Sequence, residues 1–135
     1  MEIAEAVEFA RTNHRAVLGT LRRDGTPQMT PITVGADGDQ IIVSSRETAL
    51  KVKNLRRDPR VWLVLLNDGF FGEFKTVEGT VEIVSLPEAM DGLVQYYRDI
   101  SGEHPDWDDY RTAMERDQRV LLRITPTRVG PTMGG

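Results

Sequence analysis

Six basic residues fall within a fifteen-residue stretch: Arg46, Lys51, Lys53, Arg56, Arg57 and Arg60, against two acids, Glu47 and Asp58. The local balance is +4 in a chain whose net charge is −4. Field sign is set locally, so such a patch attracts a phosphate or carboxylate even on an acidic protein. A charged helix face that is simply solvated fits the same run. The preceding residues favour the first reading. Ser44-Ser45 closes the apolar run Ile41-Ile42-Val43, and a strand, a hydroxyl-rich turn and a helix start, in that order, make an anion cradle.

Other reactive groups are sparse. His14 and His104 lie in different elements with no partner ligand near either in sequence, which is not the convergence a metal needs. The acidic stretch Glu103-His104-Pro105-Asp106-Trp107-Asp108-Asp109 lacks the alternating ligand spacing and closing glutamate of a calcium loop and reads as a capped helix start. Ser44 and Ser45 have no histidine to activate them as nucleophiles. Gly69-Phe70-Phe71-Gly72 places two aromatics in a turn, suited to packing, to a dimer contact or to a ring-stacking wall. With no acid, base or metal cluster, chemistry falls to a cofactor that the protein binds and orients.

The elements that must position these residues follow from patterning. Ile3, Val7 and Ala10 share a helical face over residues 2–13. Arg15 to Arg22 reads as a strand, Asp24-Gly25 as a hairpin turn, and Thr26 to Val34 as the return strand. Pro27 and Pro31 put that return strand at an edge, since proline donates no ladder hydrogen bond. Asp37-Gly38 turns into a strand at Gln40 to Ser44, and the basic helix follows, ending before Pro59. Val61 to Leu66 is a continuous apolar run and predicts a strand buried on both faces. Glu73 to Ser85 predicts a long strand, Pro87 opens a helix carrying Ala89, Leu93, Tyr96 and Tyr97 inward, and Asp106 to Asp117 forms another helix. Arg119 to Thr125 is a last strand, and the tail from Gly130 to Gly135 is loose.

Six short strands joined by tight turns, with helices between them, favour a closed or half-closed antiparallel barrel in a single domain spanning residues 1–135. The absence of cysteine excludes disulfides and thiolate chemistry and fits a reducing compartment. The beginning of the chain has neither the basic nor the apolar region of a secretory signal, and no apolar run reaches the ~20 residues of a membrane span. A cytoplasmic protein is expected, with no membrane partner. Its acidity argues against nucleic acid.

Several segments match a known family: Leu18-Gly19-Thr20-Leu21 with Asp24-Gly25-Thr26-Pro27-Gln28, Lys51 with Asn54 to Arg60, Val77-Glu78-Gly79, Tyr97 to His104, and Asp106 through Tyr110-Arg111 to Arg119-Val120-Leu121-Leu122. On these the chain resembles the split β-barrel flavin and deazaflavin oxidoreductases related to pyridoxamine 5′-phosphate oxidase, and within them the actinobacterial branch that uses coenzyme F420. The resemblance implies a mainly β split barrel with inserted helices, and a homodimer with cofactor sites at the interface. It also implies hydride transfer from reduced deazaflavin to an electron-poor double bond of a small-molecule substrate. Lys51 falls on the family's phosphate-gripping lysine. By the same match Ser44 and Ser45 line the phosphate end with Lys53 and Asn54 nearby. Gln28, Thr30, Pro31 and Ile32 pass beside the ring, and Phe70 approaches the site. Flavin-mononucleotide (FMN) oxidases of the superfamily carry an arginine and a lysine where this chain has Thr30 and Gly35. F420 relatives carry an arginine at Ala49, for which Arg46 and Lys53 are the nearest substitutes here. The alternatives are an FMN-dependent enzyme of the same fold and a non-catalytic F420 carrier.

Overall fold

A computed structural model describes residues 2–130. In chain order the elements are α1 (Ile3–Thr12), β1 (Arg15–Leu21), β2 (Pro27–Thr33), β3 (Gly35–Asp37), β4 (Gln40–Arg46), α2 (Leu50–Arg57), β5 (Arg60–Leu66), β6 (Phe74–Val84), α3 (Met90–Ser101), α4 (Trp107–Arg116) and β7 (Arg119–Val129). All strand pairings are antiparallel, in the order β2-β1-β5-β6-β7-β4-β3. The expected loose tail lies outside the described residues except for Gly130.

The two outermost strands, β2 and β3, are separated by one residue, Val34. A flat sheet would hold its edges far apart, so the sheet must curl until they nearly meet. Val34 is fully buried and is held on both sides by His14: its N–H donates to the His14 carbonyl at 2.8 Å, and its own carbonyl accepts from His14 Nδ1 at 2.8 Å. The result is a split barrel of seven strands, not six. The seventh is β3, whose three residues are too few to show a period in the sequence.

Alternation sorts the side chains. Leu18, Ile41, Val43, Val61, Leu63, Leu65, Val120, Leu122 and Ile124 point into the barrel, where α2 adds Val52 and Leu55, and α1 adds Ala6, Val7 and Ala10. A second, smaller core lies on the outer face of β4 and β7, where Ile42 and Leu121 meet Ala89 and Leu93 under α3. That helix packs close because Gly92 faces β7: a Cβ there would meet Leu121 Cδ2 at 2.5 Å.

Three expectations change. Strand β5 is buried on one face only: Val61, Leu63 and Leu65 go inward, while Trp62, Val64 and Leu66 are half-exposed on the outside. An unbroken apolar run says that both faces avoid water, not that one chain covers both. Strand β7 continues past Thr125 because Pro126 sits at a bulge opposite the register shift at Glu78/Gly79, where its missing N–H costs no ladder bond. Pro87 lies in the turn ahead of α3, which starts three residues later at Met90.

Removing the imidazole that holds Val34 leaves a buried carbonyl unpaired. His14→Ala should therefore lower stability by about 1–3 kcal/mol, read as a lower urea midpoint at unchanged m-value. His14→Asn, whose amide N–H can reach the same carbonyl, should recover part of the loss.

Candidate functional site

A cleft of about 510 Å³ opens where the end of β2 meets the outer helical layer, lined by Pro31, Ile32, Thr33, Ser44, Lys51, Tyr96, Tyr97, Tyr110, Met114 and Arg119. Its residues come from β2, β4, α2, α3, α4 and the first position of β7. Ser44 faces it because the outward side of β4 is the Ile42–Ser44–Arg46 row. Ser45 alternates to the other face, buried at 1 % exposure with its hydroxyl unpartnered. The two serines are part of the strand, not of a hydroxyl-rich turn.

The basic cluster does not act as one patch. Arg56 is bound to Glu47. Arg57 donates to the Leu21 carbonyl and to Asn54 Oδ1. Arg60 pairs with Asp58 at 2.8 Å and lies over the Trp62 ring. Lys53 and Arg46 are exposed and line no part of the cleft. Of the six cations only Lys51 reaches it. The second cation there is Arg119, which sequence reasoning did not select. Its one outward sign is a charge at the mouth of the apolar strand Val120-Leu121-Leu122, directly across from Arg46.

The remaining candidates are distributed elsewhere. Asn54, 1 % exposed, donates to Thr20 Oγ1 at 3.1 Å. Thr20 donates to Gln28 Oε1 at 3.1 Å, and Gln28 donates to Thr30 Oγ1 at 2.6 Å. These four tie α2 through β1 to β2 and leave Gln28, Thr30 and Asn54 engaged away from the Lys51 cleft. Ala49 is the residue before α2, packed against the main core. Phe70 sits in the β5–β6 loop at φ 67°, 61 % exposed, edge-on to Phe71. Gly35 is buried under Tyr96, whose ring would lie 3.5 Å from a Cβ there. Ile42 and Ile100 close the same spot at 3.5 and 3.6 Å.

The acidic stretch before α4 is a capped helix start: Asp106 accepts from the Asp109 N–H at 3.1 Å, and His104 Nδ1 accepts from the Asp106 N–H at 2.9 Å. His104, Trp107, Tyr97 and Tyr110 pack with ring centroids 5.1–5.8 Å apart. Arg98 lies over Trp107 at 5.0 Å and pairs with Glu103 at 2.7 Å. This knot fixes the tyrosine wall of the cleft.

Chemically the cleft is an open, cationic slot. Burial, reinforced by the nearby Arg119 charge, pulls the Lys51 pKa below its usual 10.5. The Tyr110 phenol donates to the Leu93 carbonyl at 2.8 Å and is pushed up to about 12, chiefly by burial. Tyr96 donates to the Thr33 carbonyl at 2.8 Å and is likewise raised by burial. Both stay neutral. Two cations with no carboxylate among the lining residues suit an oxyanion.

The pyridoxamine 5′-phosphate oxidase family model matches residues 3–132. Among solved structures, the conserved hypothetical protein Rv2991 from Mycobacterium tuberculosis superposes with TM-score 0.76 at 26% identity, over 100% of this chain and 93% of that one. An F420 reductase superposes at 0.72 and 21% identity, over 91% and 94%. HutZ, the heme storage protein from Vibrio cholerae, does so at 0.74 and 16%, over 98% and 96%. At 21% and 16% identity the likeness is one of fold.

The lowered Lys51 pKa has a sign. Folding disfavours the protonated amine, so its burden on the fold is present at neutral pH and vanishes as pH rises toward 10.5. Lys51→Met, similar in length and uncharged, should raise the melting temperature of the ligand-free protein at neutral pH. By calorimetry that gain should shrink in alkaline buffer.

Proposed function

Because the chain belongs to the pyridoxamine 5′-phosphate oxidase family, we propose that it is a coenzyme F420-dependent reductase that acts as a homodimer on a small organic substrate with an electron-poor double bond. The observation that carries this reading is the convergence of Ser44, Lys51, Pro31 and Ile32, four residues expected at the cofactor, on one cleft. The F420 reductase of the same fold supports it.

The donor set fits the cofactor's phosphate end: Lys51 supplies a charge, Ser44 a hydroxyl, and a sealed guanidinium nitrogen of Arg119 lacks a partner. When bound, reduced F420 supplies a hydride from its deazaflavin ring carbon. In this chain Lys51 and Ser44 hold the phosphate, while Pro31 and Ile32 present the edge of β2 to the ring. Tyr97, Tyr110 and Met114 exclude water, which strengthens every charge interaction inside and sets the reactants in place. Tyr96 and Tyr110 donate to the Thr33 and Leu93 carbonyls and so are not free to supply the final proton.

Pairing of two copies is supported by the outer face of the sheet. Val17, Met29, Trp62, Val64 and Val129 line an open groove of about 520 Å³, flanked by Glu78 and Arg128. Half-exposed apolar residues in mid-sheet call for a cover, and a two-fold partner is the commonest one. Sedimentation at micromolar concentration should give about twice the 15.2 kDa chain mass; a monomer that binds cofactor fully would remove the shared-site model.

Cofactor choice follows from the two FMN-type charge positions. Thr30 is committed to Gln28, and Gly35 lies under Tyr96. F420 should bind at least about tenfold more tightly than FMN in fluorescence titrations, equivalent to one charge-assisted hydrogen bond. A protein purified saturated with FMN would refute this. Lys51→Ala should weaken F420 by about 1.5–3 kcal/mol, whereas Arg57→Ala, spent on Leu21 and Asn54, should barely change affinity. Turnover of reduced F420 with enones or quinones separates an enzyme from a carrier.

A further inference from the structure

Arg119 is the one cation of the cleft that the sequence did not place at the cofactor. Its Nε is sealed from solvent with no hydrogen-bond partner, and among the described residues its guanidinium forms no ion pair. The side chain as a whole is partly exposed, but a donor nitrogen sealed from water and left unpaired still costs its desolvation. The neighbourhood adds to the expense. Arg46 lies directly opposite across the β4–β7 ladder, and like charges there repel. Lys51 shares the same cleft.

Arg119 stands in a wall between two hollows. On one side is the Lys51 cleft; on the other a smaller one lined by Glu47, Ser85, Leu86, Glu115, Gln118 and Val120. Glu47 is occupied by Arg56, and Glu115 forms no ion pair with Arg119. An anion on that side would meet Glu115 and a Glu47 already neutralised by Arg56, whereas no carboxylate lines the Lys51 cleft.

We propose that Arg119 and Lys51 together form a two-cation clamp for a phosphate-type oxyanion, with Arg119 as a binding residue that touches the ligand. The clamp restores from β7 the charge that Thr30, Gly35 and Ala49 do not supply, in place of Arg46 and Lys53. Arg119 suits this role because its planar guanidinium presents donors in a fixed fork that matches two oxygens of one phosphate, whereas a lysine acts as a point charge. For F420 as the ligand, the clamp rests on the cofactor reading above; as an oxyanion site it does not.

The test uses the intact chain with Arg119→Gln and Arg119→Lys, and with Arg46→Gln as a control. Fluorescence titrations compare F420 with its ribityl deazaflavin chromophore lacking the phosphodiester. Arg119→Gln should weaken F420 about ten- to hundredfold and leave the phosphate-free chromophore within about twofold, with Arg119→Lys between wild type and Gln and Arg46→Gln near wild type. Equal losses for both ligands, or unchanged F420 affinity, would overturn the clamp while leaving the cofactor reading in place. If wild type binds no F420, the cofactor reading fails, and inorganic pyrophosphate is then the probe. A rise in melting temperature with pyrophosphate that disappears in both Arg119→Gln and Lys51→Ala supports the clamp, and no rise in wild type overturns it.

Discussion

One residue, Val34, carries the chain from one edge of the sheet to the other, and His14 grips both of its backbone polar groups. Without that crossover the β1–β2 hairpin and the β3–β4 hairpin would be distant ends of an open sheet. With it, the end of β2 is delivered against β4, so Pro31, Ile32 and Thr33 share a cleft with Ser44 and Lys51. The prolines act in the same direction. Strand β2 can tolerate Pro27 and Pro31 because it pairs with β1 alone, and an edge strand that ends at the closure point is free to present its rim to a ligand.

The site is maintained against the interests of the ligand-free fold. A half-buried Lys51, a sealed Arg119 nitrogen and an exposed Arg46 across the ladder are each mildly unfavourable, and none is relieved by a carboxylate. Several other cations are paired locally: Arg56 with Glu47, Arg60 with Asp58, Arg98 with Glu103, Arg123 with Asp37. An oxyanion bound between Lys51 and Arg119, as proposed above, would complete the electrostatics there. Any ligand that binds only the native state then stabilises it by mass action.

Much of the fold was legible because strand period, hairpin turns and proline positions are local signals. The turns at Asp24-Gly25 and near Gly38, the edge character of β2 and the capped start of α4 all follow from a few adjacent residues. Three features were not legible, one because it is too short and two because they depend on what lies across space. β3 is too short to carry a period. The half-open face of β5 differs from a buried one only in what covers Trp62 and Val64. In the basic cluster, charge counting could not foresee that Arg56, Arg57 and Arg60 would find partners and Lys51 would not. Pro31 and Ile32 were reached through resemblance alone, Lys51 and Ser44 through the local charge pattern as well. Arg119 was missed because it lies far from the basic cluster in sequence, and only the β4–β7 pairing brings it there.

Strand parity ties the closure to the chemistry. On β4, Ser44 faces the cleft and Ser45 faces the core, and the partner row on β7 sends Arg119 and Leu121 outward while Val120 and Leu122 go in. A slip of one residue would turn Ser45 to the ligand, bury Ser44, and exchange the two rows of β7. What prevents it is hydrophobic: Ile41 and Val43 fit the barrel, and Ile42 fits the small core under α3. That second core also seats the helices whose Tyr96, Tyr97 and Tyr110 wall the cleft, through Gly92 against Leu121 and the aromatic knot around His104. The same register that buries the apolar residues therefore aims the serine and the arginine, and neither could be re-aimed without unpacking a core.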